Sequence, residues 1–171
     1  MLFRSRSVVI CLRCARGGVR TADGQPDRGD RVDVLWFCAA LRSAEHFSLQ
    51  RIDNKWTLAG DVALLVDGIP GHVRYGVTAS ADWIVERTSI DFAIGGRRRV
   101  FEIVQADGVW TVDGQVRLDL AGCTDIDLGW TPATNTVPLR RLEVDVGEHA
   151  DIRAVWVRFP ETRHSSERAT L

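Results

Sequence analysis

Apolar and polar residues alternate along most of the chain between residues 34 and 160. Val73, Tyr75 and Val77, for example, alternate with Arg74 and Thr78. Successive side chains of a strand point to opposite faces of its sheet, so a period of two predicts strands with one face exposed to water. No segment shows a sustained apolar stripe with the 3.6-residue period of a helix. The pattern therefore predicts an all-β domain.

Turn dipeptides that tolerate positive φ separate several of the predicted strands. They are Asp67-Gly68, Gly95-Gly96, Asp107-Gly108 and Asp113-Gly114. Such short links join antiparallel neighbours. Together, pattern and turns predict about ten strands, near residues 34–41, 45–52, 56–66, 72–79, 83–94, 98–105, 109–112, 115–120, 139–146 and 152–159.

A sheet of this size has to curl, split or close to protect its edges. We therefore expect a single antiparallel sheet of about ten strands, curled into a roll or half-barrel. Such a sheet carries a groove or cavity along its concave side.

The two ends of the chain differ in composition from the predicted domain at residues 34–160. Residues 1–33 are expected to be a disordered, Arg-rich extension and linker, and residues 161–171 a polar tail. The first 20 residues contain five Arg and no acid, whereas the remainder carries 17 basic and 23 acidic residues, a net charge of −6. An acidic body matches a phosphate backbone poorly, so no nucleic-acid partner is expected.

Four cysteines are too few and too scattered for a disulfide scaffold. Cys11 and Cys14 form a Cys-x-x-Cys pair, but neither Cys38 nor Cys123 supplies the second pair of a zinc ribbon. We expect no metal and no cofactor, and reduced thiols in the cytoplasm. No apolar run approaches the roughly 20 residues of a transmembrane helix.

The stretch between Gly122 and Leu142, here called the polar segment, concentrates hydrogen-bonding side chains between apolar runs. Pro132 and Pro138 remove backbone donors, so neither a central strand nor a helix is expected there. The candidate ligand-binding residues are Asp125, Asp127, Trp130, Thr134, Asn135, Thr136, Arg140 and Arg141. Two interpretations remain open: these residues contact a ligand, or an Asp–Arg pair merely fixes a long loop.

The polar segment resembles the signature of a bacterial glycolipid-binding family. The resemblance rests on Gly122-Cys-Thr-Asp-Ile-Asp-Leu128 and on Thr131-Pro-Ala-Thr-Asn-Thr-Val-Pro-Leu-Arg-Arg-Leu142. Weaker similarity extends to Ala154–Pro160, Ala81-Asp82-Trp83, Tyr75, Gly60 and Glu45, and thus covers residues 36–160. The resemblance implies a small cytoplasmic spiral β-roll that binds glycolipid. The first 33 residues and the tail after Pro160 depart from that family's pattern.

The function predicted from these features is non-enzymatic binding of a glycolipid or another amphiphile. Its acyl chain would lie inside the roll and supply most of the affinity, at about 0.8 kcal/mol per buried CH₂. The polar segment would select the headgroup, with Trp130 as the candidate for stacking on a sugar ring.

Two alternatives from other functional classes remain open. A carbohydrate-active or ester hydrolase would use Asp125 and Asp127, or Glu45 with His46 as an acid–base pair. No nucleophile elbow, zinc-binding helix or phosphate loop supports an enzyme. A protein-interaction module would use the arginines at 97–99, which are otherwise expected to be a solvated charge run protecting a sheet edge.

Overall fold

The structure of the protein, a computed structural model, describes residues 3–11, 31–39, 41–145 and 147–158. Its helical elements are α1 (Thr136–Arg141) and two 3₁₀ turns, Leu118–Leu120 and Ala133–Asn135. Its strands are β1 (Phe3–Cys11), β2 (Arg31–Cys38), β3 (Ser43–Ile52), β4 (Lys55–Val66), β5 (Ile69–Ala79), β6 (Val85–Ile94), β7 (Arg97–Ala106), β8 (Val109–Val112), β9 (Gln115–Val116), β10 (Asp125–Leu128) and β11 (His149–Val157). The all-β prediction is confirmed.

Strands β2 to β9 form one eight-stranded sheet in chain order, each antiparallel to the next. The predicted turn dipeptides fall in its tight turns, and Gly68, Gly95, Gly96, Gly108 and Gly114 have positive φ. Turns alternate between the two ends of such a meander. The links after β2, β4 and β6 therefore share one end, and those after β3, β5 and β7 share the other.

A second, three-stranded sheet has the order β1-β11-β10. β1 is antiparallel to β11 and β10 is parallel to it, so the protein is not a single antiparallel sheet throughout. β1 also lies within the extension that was expected to be disordered. Its backbone pairs with β11 from Phe3 opposite Val157 to Cys11 opposite His149. Residues 12–30 and the tail at 161–171 lie outside the described residues.

The small sheet covers the concave face of the large one. Inward side chains of the large sheet, such as Leu58, Val77 and Ile90, belong to one buried cluster with Ile126, Leu128, Val155 and Val157 of the small sheet. Trp130, Ala133 and Val137 extend that cluster along the polar segment. The described interior of the roll is therefore a continuous core made by the chain's own side chains.

The opposite face of the small sheet packs under α1. Ile152 and Ala154 of β11 are buried there against Leu139, Val144 and Ala150. The molecule thus has three layers, which are the large sheet, the small sheet, and α1 with the turn that follows it.

One predicted strand is wrong and another is too long. Residues 139–146 do not form a strand, because α1 continues to Arg141 and Glu143 then takes a φ of 50° that breaks any extended run. Pro138 lies in the first turn of α1, where a missing N–H costs no helical hydrogen bond. The predicted strand 115–120 ends at Val116 and continues as a 3₁₀ turn.

Other features of the described residues bear on ligand classes. Cys38 and Cys123 are free thiols, and the Cys11–Cys14 pair lies outside the residues whose side chains are described. In the described ranges no three His, Cys, Asp or Glu side chains are grouped so that they could hold a metal ion. No helix there has the length and apolar character needed to cross a bilayer.

Candidate functional site

The polar segment folds into β10, a tight turn, a 3₁₀ turn and α1. The turn closes with a hydrogen bond from the Thr131 N–H to the Leu128 carbonyl at 3.0 Å. Pro132 precedes the 3₁₀ turn, whose Asn135 N–H donates to the Pro132 carbonyl at 3.1 Å. Most of the backbone in this segment therefore forms a strand or helical turns, whereas its prolines had predicted neither a central strand nor a helix.

Asp125 is completely buried on the face of the small sheet that meets α1. Its Oδ2 accepts hydrogen bonds from the Thr124 hydroxyl and from Nη2 of Arg141, both at 2.6 Å. Burial raises the pKa of this carboxyl, and the bonds from Thr124 and Arg141 only partly oppose that shift. The predicted Asp–Arg pair therefore exists between Asp125 and Arg141. It joins β10 to the last turn of α1.

Other predicted site residues also face inward. Trp130 is 3% exposed within the main core, which leaves its ring little surface for a sugar. Thr134 is buried, and its hydroxyl accepts a hydrogen bond from the Leu128 N–H at 3.3 Å. Asp127 and Asn135 are half-buried. Of this group, only the half-buried pair reaches the surface.

A polar cluster inside the core was not predicted. Glu45 is 3% exposed, and its Oε1 accepts hydrogen bonds from the Tyr75 hydroxyl at 2.5 Å and from the Thr131 hydroxyl at 2.9 Å. The same Thr131 oxygen accepts from the Ala133 N–H at 3.1 Å. These contacts tie β3 and β5 of the large sheet to the turn after β10.

Burial dominates the electrostatics of this cluster. It raises the pKa of Glu45, against the lowering effect of the two hydroxyl donors. Burial and the neighbouring Glu45 carboxylate raise the pKa of Tyr75 far above its usual range. Gly60 makes the geometry possible, because a Cβ there would lie 2.2 Å from Cε1 of Tyr75. The weaker part of the family resemblance, which includes these three residues, and Thr131 in its stronger part were the signals in the sequence for this cluster.

An open groove of about 670 Å³ lies beside α1. Thr136, Leu139 and Arg140 line it from one face of the helix, as spacings of three and four residues allow. Trp83 lines it from the link between β5 and β6, and the turn after α1 supplies the rest, namely Glu143, Val144 and Asp145. The groove combines an aromatic ring, two apolar side chains, a hydroxyl, a guanidinium and two carboxylates. This is the mixture expected where an amphiphile is bound.

Trp83 is held rigidly at the edge of this groove. Its φ of 61° is an outlier for a bulky residue. The surrounding turn stabilises that conformation, since the Ser80 hydroxyl accepts from the N–H groups of Asp82 and Ile84, both at 3.2 Å. The indole also stacks on Trp56 with ring centroids 4.3 Å apart. Backbone outliers of this kind concentrate at functional sites, which draws attention to Trp83.

The proposed acid–base pair of Glu45 and His46 is wrong. The two residues are neighbours on β3, so their side chains point to opposite faces. Glu45 lies in the core, whereas the exposed His46 imidazole contacts Asp33 Oδ1 at 3.1 Å. No proton can pass directly between them in this arrangement.

The arginines at 97–99 follow the β6–β7 turn and alternate between faces, as expected. Arg98 donates to both carboxylate oxygens of Asp91, at 2.9 and 2.6 Å. Arg99 lies over the ring of Phe101, 4.8 Å from its centroid. Only the middle arginine of the three is therefore in an ion pair among the described residues.

The structure thus divides the eight predicted residues into separate groups. Thr136 and Arg140 meet in the groove, Asp125 and Arg141 form an ion pair behind it, and Trp130 and Thr134 belong to the core. Trp83 was missed because only folding brings it to α1, and the residues at 143–145 were missed because a strand was predicted at 139–146. The Ala81-Asp82-Trp83 part of the resemblance was the one hint at Trp83.

Comparisons with known proteins agree with this fold and with the family resemblance of the sequence. The model of a family described as "Putative glycolipid-binding" matches residues 33–170. Among solved structures, the chain is similar to the crystal structure of a DUF1089 family protein from Pseudomonas aeruginosa, with 25% identity and a TM-score of 0.57. That match covers 87% of this chain and 71% of the other. No curated protein matches the chain.

Proposed function

The chain belongs to the family described as "Putative glycolipid-binding", and we propose that it binds an amphiphile with a sugar headgroup in the groove beside α1. The observation that carries this proposal is the meeting of Thr136 and Arg140, from the family-like polar segment, with the rigid Trp83. An indole face, a hydroxyl and charged groups offer a sugar both a stacking surface and hydrogen bonds.

Each groove residue has a role that follows from its chemistry. Trp83 packs against a sugar ring. The Arg140 guanidinium donates to ring or hydroxyl oxygens, whereas Glu143 and Asp145 accept from hydroxyls. Each such bond adds about 1 kcal/mol net, because the ligand exchanges it for a bond to water.

The apolar part of the ligand contacts Leu139 and Val144 in this proposal. The sequence suggested that an acyl chain lies inside the roll, but Leu128, Trp130 and Val137 occupy the described interior. Displacing such a core would cost several kcal/mol per large side chain. The groove, in contrast, is open already. Affinity still rises with each methylene covered, at about 0.8 kcal/mol.

Asp125 and Arg141 serve as a support in this proposal. Their ion pair fixes the end of α1 to the small sheet and thereby positions Arg140 one residue earlier. Complete burial of Asp125 also counts against a hydrolase that uses it as a nucleophile. The absence of catalysis and the cytoplasmic location expected from the sequence stay predictions.

Titration with a short alkyl glycoside tests the groove. We expect dodecyl maltoside, below its micellar concentration, to bind about tenfold more weakly to Arg140→Ala and about fivefold more weakly to Thr136→Val. Arg74→Ala, on the outer face of the large sheet, is the matched control and should bind normally. Native mass spectrometry of protein purified without detergent identifies any lipid that co-purifies.

Two outcomes would reject this proposal. Equal binding by all of these variants would place the amphiphile elsewhere on the molecule. Turnover of a glycoside or ester panel that disappears in Asp125→Asn, while the variant stays folded, would instead establish an enzyme.

A further inference from the structure

The end of the large sheet that carries the turns after β2, β4 and β6 has an unusual surface, which we call the basic end. Its exposed apolar side chains are Phe37, Leu41, Leu65 and Ile69, and its exposed arginines are Arg42, Arg97, Arg99 and the Asp91-paired Arg98. Phe37 is 75% exposed. A large aromatic ring in water is costly unless something covers it.

Strand register brings these residues together. Cys38 pairs with Ser43, Ser43 with Leu64, Leu64 with Gly71, Gly71 with Ile94 and Ile94 with Arg97. That row crosses six strands, or roughly 24 Å at about 4.8 Å per strand. Leu41 and Arg42 lie in the turn after β2, and the other side chains named above lie within two residues of this row. Phe37 and Leu65 point to the outer face, because their neighbours Trp36 and Leu64 face the core, whereas Arg97 and Arg99 share the inner side with Ile94 and Phe101. These side chains therefore surround one end of the sheet and do not share one of its faces.

The apolar part of the basic end is slightly concave. A shallow hollow of about 610 Å³ is lined by Phe37, Ala44, Ala63 and Leu65, with Arg42 at its edge. The small alanines leave room between the larger side chains. Such a surface can admit loosely packed apolar groups without a fixed complementary shape.

Among the described residues the basic end carries more positive than negative charge. Arg42, Arg97 and Arg99 have no carboxylate partner among the described residues. In the described parts of its three turns the only acid is Asp67. The turns at the other end contain Asp53, Asp82 and Asp107 instead. The described turns at the basic end therefore contain fewer acids than those at the other end, in a chain whose net charge is −1.

From these observations we propose that the basic end docks on the surface of an anionic lipid bilayer. An end of the sheet that carries both exposed apolar side chains and guanidinium groups without a carboxylate partner among the described residues matches an interface of acyl chains beneath phosphate headgroups. A protein partner would need to be both apolar and acidic at one place, whereas an anionic bilayer has both properties everywhere. This proposal does not rest on the amphiphile groove, which lies at the other end of the sheet beside Trp83.

Sedimentation with vesicles tests the docking directly. The probes are phosphatidylcholine vesicles with and without a minority of phosphatidylglycerol. We expect the full-length protein to sediment with the anionic vesicles, and to do so less as ionic strength rises. Arg97→Gln with Arg99→Gln should lower the partition constant about 25-fold, at about fivefold per charge. Phe37→Ser should lower it about tenfold.

Matched variants at the other end of the sheet separate docking from a general effect on folding. Ile84→Ser and Val109→Ser also replace exposed apolar residues and should sediment like the unaltered protein. Circular dichroism confirms that each variant is folded. Arg140→Ala should keep vesicle binding even if it loses dodecyl maltoside, which distinguishes this test from that of the groove.

Three results would overturn the proposal. The first is equally little sedimentation of the unaltered protein with both kinds of vesicle. The second is an equal loss of binding by the variants at the two ends. The third is binding of an acidic polypeptide that the basic-end variants lose, with no binding to vesicles, which would assign the surface to a protein partner.

Discussion

Replacement of Gly60 by alanine should damage the interior more than the same replacement at any other glycine of the described strands. The new Cβ would lie 2.2 Å from Cε1 and 2.4 Å from Cζ of Tyr75. Carbon atoms in ordinary contact are about 3.5 to 4.0 Å apart, so the ring has to move by more than 1 Å. Tyr75 is buried and bonded to Glu45. It has little room to move without losing that bond.

The expected cost combines three terms. Overpacking of a core costs about 1–3 kcal/mol, and loss of a hydrogen bond to a charged group costs about 1.5–3 kcal/mol. The lower backbone entropy of alanine returns about 0.5–1 kcal/mol. We therefore expect Gly60→Ala to lower the free energy of unfolding by about 2–5 kcal/mol. For a chain of this size that corresponds to a melting temperature roughly 10 °C lower.

Urea unfolding followed by tryptophan fluorescence measures this change. Gly76→Ala is the matched control, since a Cβ there meets Ser89 Oγ at 3.2 Å, with the Leu58 carbonyl next at 4.0 Å. Its cost should stay below about 1 kcal/mol. In the Tyr75→Leu background, which lacks the ring, the additional cost of Gly60→Ala should largely vanish. Equal costs for the two glycine variants, or full additivity with Tyr75→Leu, would refute the proposed steric cause.

Three further predictions concern groups that hold the layers together. Burial raises the pKa of Glu45 in the folded state. The contribution of Glu45 to the free energy of unfolding is therefore greatest below the ordinary carboxyl pKa, and it falls as pH rises through the pKa of the folded state. The free energy of unfolding of Glu45→Gln, measured across pH, should lack that decline. Arg141→Met should cost about 3 kcal/mol by leaving the buried Asp125 carboxylate unpaired, and Asp125→Asn in the same chain should recover most of it on thermal melting. Deletion of residues 1–30 should lower the melting temperature because β11 loses its partner β1, whereas an unchanged value would support the dispensable extension expected from composition.

The large sheet could be predicted almost completely because its information is local. Alternation such as Val73, Tyr75 and Val77 reports which face is buried, and Asp-Gly or Gly-Gly dipeptides report where the chain turns. Predicted and observed strands therefore agree closely from β3 to β8. The errors lie where the same local pattern of apolar residues is compatible with either a strand or a helix and turn. Leu142 and Val144 alternate as in a strand, yet the turn after α1 packs the partly buried Val144 against the small sheet instead.

The candidate site could be predicted only in part. Thr136 and Arg140 were recognised, and so was an Asp–Arg pair in the polar segment. Their different roles depend on whether each side chain faces the core, the small sheet or water, which residue type alone does not decide. The position of Trp130 in the core and of Trp83 at the groove shows this, because both indoles lie in turn-rich sequence.

By itself the sequence determined the all-β class, the meander of the large sheet and the family, because alternation, turn residues and the polar segment are properties of neighbouring positions. Tertiary structure alone decided that the small sheet fills the roll, that Glu45 meets Tyr75 and Thr131, and that Trp83 faces α1. These contacts join residues far apart in the chain. They depend on how the layers stack and on which polar groups find partners when water is removed, and neither is visible in a local pattern.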